Sequence, residues 1–388
     1  HRDLHSFPTR RSSDLLSLDA KERVLMRAAD EAIDLTATAP MLHAKLAPGA
    51  SAKESVVLND EDRQRLGIKV GQDVRLEMPF DPPGADAFRW LFYASSPVWN
   101  NTRNSLRAIR DGQKDFLIKL RNVYSFFVIY ANIDGFDPSN GASAMKDIKS
   151  AKGYRPVSQR AEMDRWILSE LNLMLREVVR HLDNYLIYDA ARELNGFVEI
   201  LSNWYLRRNR SRFWASGFDA DKYDAYWTLW EALVKFSQAA APFIPFMTEQ
   251  IYQNLARTPF KQPDAAPESV HLCDYPLADE ALIDAPLSAR MALARRIATL
   301  GLAARAVKKI KVRQPLASAQ VLLANSADAA TLESLLPVVR DELNVKTIAF
   351  PSDATEYVSW VVNPNFRTIG PKFGQKVPQI KAAVGQAN

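Results

Sequence analysis

One cysteine in 388 residues, Cys273, is the first scarcity. It excludes an internal disulfide and any zinc site built on several thiolates, and it suits a reducing compartment. The five histidines, His1, His5, His43, His181 and His271, are scattered without metal-ligand spacing. His181 stands beside Asp183 with no nucleophile near it, so it reads as a surface or packing residue. No G-x-x-x-x-G-K-[ST] or G-x-G-x-x-G loop occurs, which removes two common backbone phosphate cradles. No apolar run approaches the roughly 20 residues of a membrane span, and no signal-peptide h-region follows the first residues. The expectation is a cytoplasmic soluble protein without a membrane partner.

What is present is ordinary in bulk and uneven in detail. Hydrophobic residues make up 47% and charged residues 24%, enough for two or three domains with their own cores. The net charge of +5 permits a polyanionic partner without demanding one. Residues 1–15, "HRDLHSFPTRRSSDL", have no helical or strand period and read as a sequencing artefact. Residues 16–80 form an unassigned segment, foreign or chimeric in character. Within it the spacing of Val24, Leu25, Ala28, Ala32 and Ile33 predicts a helix over 19–35. "DLTATAP" at 34–40 reads as a helix-terminating loop. "ESVVLNDEDRQRLGIKVGQDVRLE" then reads as strand, short helix capped near Asn59, turn around Gly67 and Gly71, and second strand. That stretch resembles half of a double-psi β-barrel.

From residue 84 the period changes to helical. A helix is predicted over 164–188, with Asp164 as its N-cap and Ile167, Leu171, Met174 or Leu175, Val178, Leu182 and Tyr185 as its apolar stripe. A second follows over 189–205, burying Leu194, Phe197, Val198 and Leu201. A third covers 221–240, with Tyr223, Trp227, Trp230 and Val234 inward. Pro242 and Pro245 interrupt before a helix resumes at 246–255. Another helix is expected after Pro286. Strands are predicted in "SAQVLLA", "VKTIAF" and "YVSWVVNP", with a helix over 330–344 between the first two. The fold class is therefore mainly α: a helical bundle over 84–285, then a small α+β unit over 286–388.

Two segments concentrate positive charge. "NWYLRRNRSRFW" at 203–214 holds four arginines and no acid within an aromatic frame. On a continuous helix Arg207, Arg210 and Arg208 share a flank, with Trp204, Leu206 and Phe213 toward the core. Guanidinium forks match phosphate oxygens and stack on exposed bases. A basic helix end favoured by the C-terminal dipole explains the same residues. The 30 residues from Pro286 to Pro315 carry eight Lys and Arg and no acid. Arg295, Arg296, Lys308, Lys309, Lys311 and Arg313 are candidate phosphodiester contacts, against a solvated helix face as the plainer reading. Two such patches in one basic chain favour polyanion binding.

Several motifs, in order, resemble isoleucyl-tRNA synthetase beyond its catalytic domain. They are "GADAFRWLFYASSPVWNNTRNS" at 84–105, "KLRNVYSFFVIYANIDGFDP" at 119–138, "MDRWILSELN" at 163–172 and "LSNWYLRRNRSRFW" at 201–214. "APFIPFMTEQIYQNL" at 241–255, "IKVRQPLA" at 310–317, "ELNVK" at 342–346 and "NPNFRTIGPKFG" at 363–374 continue the match. "APFIPFMTE" also fits other class I synthetases of the valine and leucine type, whereas "YANIDGFDP" with "NPNFRTIGPKFG" points to isoleucine. The resemblance covers roughly three quarters of the chain and implies a class I anticodon-binding bundle.

The family's H-x-G-H and K-M-S-K-S signatures are absent, and "AMKDIKS" at 144–150 does not replace them. The resemblance thus implies a C-terminal fragment, inactive alone, without cofactor; ATP and magnesium belong to the full-length enzyme. Its implied partners are isoleucine tRNA and the missing catalytic domain. Some members carry a C-terminal cysteine zinc site, which a single cysteine cannot form. Arg207, Arg208, Arg210 and Arg212 become tRNA-contact candidates, with Trp204 and Trp214 expected to pack rather than stack on bases. A bundle without its catalytic domain would expose apolar surface around Trp90, Leu91 and Phe92. A free-standing tRNA-binding protein, the same region of a valine-type enzyme, or a mosaic without a role of its own are the alternatives.

Overall fold

The computed structural model describes residues 84–388 apart from 98, 102–104, 263, 352–363 and 388, together with the backbone of three short strands between 24 and 77. The chain divides into two units at Gly84 and Ala85. In the first, β1 (Val24–Ala28), β2 (Met41–Leu42) and β3 (Val74–Glu77) pair antiparallel in the order β2-β1-β3. Leu25 faces Met41 on one edge and Glu77 on the other. This corrects the helix expected over 19–35: pairing on both edges of β1 overrides the local spacing. The strand expected at "VRLE" is observed. The other elements expected before residue 80, the 34–40 loop and residues 1–15 lie outside the described residues.

In the second unit α1 (Ala85–Ala94) and α2 (Leu106–Gly112) lead through a wide π-helical stretch, Gln113–Ile118, into α3 (Lys119–Asp134). Gly135 stops α3 in the left-handed region at φ 69°, where a side chain would be strained. Then come α4 (Glu162–Asp183) and α5 (Ile187–Ile200), which packs on α4. A second π-helical turn, Leu201–Leu206, joins α5 directly to α6 (Arg207–Trp214). Next are α7 (Ala220–Ala240), capped by Asp219, and α8 (Pro245–Tyr252), which starts on its proline. The helical connections and buried faces make a bundle around Trp166, Tyr205, Tyr226 and Trp227, all fully buried. Truncating any of these rings to alanine would cost about 3–5 kcal/mol.

Several expected boundaries move. Helix α4 ends at Asp183 rather than 188, because Tyr185 turns the chain at φ 58° and Ile187 opens α5, which takes in Tyr188. Tyr185 is 86% exposed and leaves the apolar stripe, while Ile167, Leu171, Met174, Leu175 and Val178 are buried. Asp164 is no N-cap: that position is Ala161, and the Asp164 carboxylate is wholly buried in the core. Nor are Trp90 and Leu91 exposed. Trp90 stacks on Phe116 with centroids 3.5 Å apart, and only Phe92 of the three stands out.

A helix begins at the expected boundary at 285. Helix α9 (Ala285–Val307) buries Leu287, Met291, Ala294 and Ile297. Its Ser288 hydroxyl lies 3.0 Å from that of Ser169 in α4, while further along Gly301 abuts the Leu343 side chain and Arg305 bonds the Asn344 carbonyl, so this helix joins the bundle to the unit that follows. Beyond it, β4 (Leu316–Gln320), the short α10 (Asp328–Thr331), α11 (Leu336–Leu343) and β5 (Val345–Ala349) make a β-α-β unit. The two strands run parallel, Leu316 opposite Val345, which requires the helical crossover between them. Leu332, Leu335, Val339 and Leu343 form its core. The strand expected at "YVSWVVNP" lies outside the described residues. Helices α12 (Phe366–Phe373) and α13 (Val377–Ala387) follow.

Candidate nucleic-acid interface

The π-helical turn before α6 shifts the phase of its side chains relative to an unbroken helix. Tyr205, Leu206, Asn209 and Phe213 turn inward, and the four arginines separate into different environments. Arg212 forms a two-pronged bond to Asp164, Nη1 and Nη2 each 2.8 Å from a carboxylate oxygen. Its Nε donates to Asp221 at 2.9 Å and its Nη1 to Asn209 at 3.0 Å. Burial alone would lower its pKa, yet the bonds to Asp164 and Asp221 raise it. Tyr205 also donates to Asp164, at 2.6 Å, and burial pushes its hydroxyl well above the ordinary tyrosine value. Arg212 is thus the brace of a buried carboxylate, which corrects the expectation that its guanidinium is open to a ligand.

Arg208 donates to the Val338 carbonyl at 3.0 Å and to the Glu342 carboxylate, and its guanidinium lies 5.4 Å from the Trp204 ring centroid. Arg207 donates to the Asn203 carbonyl at 2.8 Å and to the same Glu342, but half of its side chain stays exposed. Arg210 is exposed and its side chain makes no hydrogen bond or ion pair with a described residue. Trp204 is half-buried, with Arg295 5.8 Å away as well as Arg208, while Trp214 is 58% exposed.

The second basic segment divides the same way. Arg295 is half-buried with an Nε that finds no partner; burial lowers its pKa against the pull of Glu170 and Glu199. Arg290 pairs with Glu162 at 3.4 Å, and Arg296 is exposed. Arg305, 5% exposed, donates to the carbonyls of Lys311 at 3.1 Å, Gln314 at 3.0 Å and Asn344 at 3.1 Å. It curls the chain after α9 into a tight loop in which Lys309 sits at φ 57°. Lys308, Lys309, Lys311 and Arg313 all stand exposed on that loop, their side chains without a described partner.

The end of α11 brings the two segments together. Glu342 holds Arg207 and Arg208, and two residues on Asn344 donates through Nδ2 to the Val312 carbonyl at 2.9 Å, between Lys311 and Arg313. Cα atoms two residues apart lie within about 7 Å. An open cleft beside this junction is lined by Glu199, Asn203, Trp204, Arg207, Leu302 and Glu342, so two carboxylates share it with one guanidinium. The arrangement can present fixed cations to an extended anion. Sequence reasoning named the exposed cations but missed Glu342, Asn344 and Arg305. "ELNVK" and "IKVRQPLA" carried these positions without any sign of which residues they join.

Other candidate chemistry is sparse. Among the described residues no group of three or more His, Cys, Asp or Glu could hold a metal ion. His181 contacts Arg180 at 3.2 Å, and Cys273 is half-buried. No helix among the described residues is long and apolar enough to cross a membrane.

The family described as "Anticodon-binding domain of tRNA ligase" matches residues 164–322. A protein of Clostridium acetobutylicum named isoleucine–tRNA ligase is 44% identical over 304 residues, covering 78% of this chain and 27% of that protein. The like-named protein of Clostridium kluyveri is 38% identical over 330 residues, 85% of this chain and 30% of its own length. That of Dehalococcoides mccartyi strain 195 is 43% identical over 296 residues, 76% and 28% respectively. The chain therefore spans under a third of the length of the curated relatives it matches.

Proposed function

The chain carries an anticodon-binding domain of the tRNA-ligase type within a longer stretch related to isoleucine–tRNA ligases, and from that premise we propose that it is the tRNA-holding part of such an enzyme. In this reading it grips the anticodon arm of isoleucine tRNA while a catalytic domain, supplied by the rest of the enzyme, joins isoleucine to the tRNA using ATP and magnesium. The activation step belongs to that domain and not to the residues described above. The cytoplasm is the proposed compartment.

The observation that carries the reading is the convergence of two basic segments on the end of α11. Arg210, Lys308, Lys309, Lys311 and Arg313, with the open half of Arg207, supply cations for backbone phosphates. Arg296 stands on the exposed side of α9 and joins them as a peripheral contact. Arg208 and Arg295 flank Trp204 and hold the cleft wall, where an unstacked loop base would find a planar neighbour. Arg212 and Arg305 shape the platform from within.

The test is salt-titrated binding of the whole chain to isoleucine tRNA and to a copy with an altered anticodon. Tighter binding to the authentic anticodon, lost when Arg207 and Arg210 are replaced by alanine, is the expected result. Equal binding to both, collapsing with salt, would reduce the surface to a non-specific basic patch.

A further inference from the structure

The cleft at the end of α11 holds its own acid against its cation. Glu199 is committed to neighbours, accepting from Lys119 of α3 and from the Asn203 amide. Glu342 is 8% exposed, and a single oxygen, Oε1, accepts from both Arg207 and Arg208. The two guanidinium groups are held unequally. Arg208 is nearly buried and has the Val338 carbonyl and the Trp204 ring besides. Arg207 is half exposed, and the other described bond of its side chain is Nε to the Asn203 carbonyl at 2.8 Å. Helix α11 itself is firmly seated. Leu332, Leu335, Val339 and Leu343 are buried, and a Cβ at Gly301 of α9 would come within 2.4 Å of Leu343. Asn344, two residues after Glu342, is tied to the Val312 carbonyl. Of the three partners in this contact, Arg207 is the one free to move.

We propose that Glu342 is an autoinhibitory contact: it masks Arg207 in the free chain, and an extended polyanion takes that guanidinium from it while Arg208 keeps the carboxylate paired. This rests on the polyanion side of the tRNA reading above and not on recognition of any base. A buried carboxylate left without a partner is strongly unfavourable, so the second arginine is what makes the exchange possible. Phosphate oxygens match the guanidinium fork in two-pronged fashion, which a single shared Oε1 does not. The exchange favours a ligand that is already anchored nearby. Lys308, Lys309, Lys311 and Arg313 stand exposed on the loop that Asn344 ties to α11. A chain of phosphates captured there meets Arg207 at high local concentration. A lone phosphate has no such anchor, and the cleft it approaches is lined by two carboxylates to one guanidinium.

The experiment measures binding of isoleucine tRNA and of inorganic polyphosphate to the full chain, to Glu342→Gln, to Arg207→Ala and to the two combined. Glu342→Gln should tighten binding of both ligands by roughly 2- to 5-fold. In the Arg207→Ala background the same substitution should change nothing, because the masked group is gone. Glu342→Asp keeps the charge on a side chain one methylene shorter and should give part of the same gain. It also decides the matter if the glutamine variant does not fold. Weaker binding by Glu342→Gln would overturn the proposal, since the carboxylate would then be holding Arg207 in its binding position. So would an equal gain with and without Arg207, which is the signature of net charge alone. If the unaltered chain binds polyphosphate but no tRNA, the functional reading falls while the cycle on polyphosphate still tests the mask. Binding of neither removes the anion site, and the proposal with it.

Discussion

The arginine helix and the loop after α9 look alike as sequence, both basic and free of acid, yet they fold to opposite ends. In α6, carboxylates from distant elements claim three of four guanidinium groups: Asp164 and Asp221 hold Arg212, and Glu342 holds Arg207 and Arg208. At the loop, one buried arginine from the last turn of α9, Arg305, bonds only to backbone carbonyls, and the four cations of the loop stay exposed. A cation becomes a brace when the fold supplies an acid or a set of carbonyls, and a contact surface when it does not. Local charge density does not distinguish the two.

The strongest way to break this contrast is at Arg212. Arg212→Ala leaves the Asp164 carboxylate buried with only Tyr205 as a described side-chain donor, and should cost about 3–5 kcal/mol in urea unfolding. A loss below about 1 kcal/mol would mean that the pair is not a brace. Next in size, replacing Lys308, Lys309, Lys311 and Arg313 together by alanine should leave stability within about 0.5 kcal/mol. The same variant should weaken tRNA binding at least ~10-fold and lower its salt slope by roughly 3.

Glu342→Gln sharpens the comparison from the other side. It keeps the shape but removes the charge that neutralises Arg207 and Arg208. Binding should tighten by roughly 2- to 5-fold with a steeper salt dependence, while the unfolding free energy drops by about 1–2 kcal/mol. Weaker binding would show that the carboxylate positions those arginines instead of competing with phosphate. The smallest effect is expected at Arg210→Ala, a change within about 0.5 kcal/mol in stability and a few-fold loss of affinity.

Much of the bundle was legible because its helices obey a simple period: Ile167, Leu171, Val178, Leu194, Phe197 and Trp227 are core residues as the spacing required. Two strands with a helix between them were readable from β-rich runs around a helical one, although β4 lies at Leu316–Gln320 and shares only three residues with "SAQVLLA", and the parallel pairing was not foreseen. Three features were not legible. The π-helical turn at Leu201–Leu206 shifts the phase of α6, and no local residue announces it. Asp164 looks like a cap because aspartate favours helix starts, but its partners Tyr205 and Arg212 lie 41 and 48 residues away. The site's organiser, Glu342, is 134 and 135 residues from the arginines it holds. Pairings at such separation follow from tertiary packing and leave no periodic trace.

The most direct measurement is a lysine-acetylation footprint of the whole chain with and without isoleucine tRNA. Lys308, Lys309 and Lys311 should react freely alone and be protected in the complex. Lys222, 2% exposed and paired with Asp134, should stay unreactive in both and serve as the internal control. Equal modification of the three loop lysines with and without bound tRNA would contradict the assignment of this loop as the contact surface.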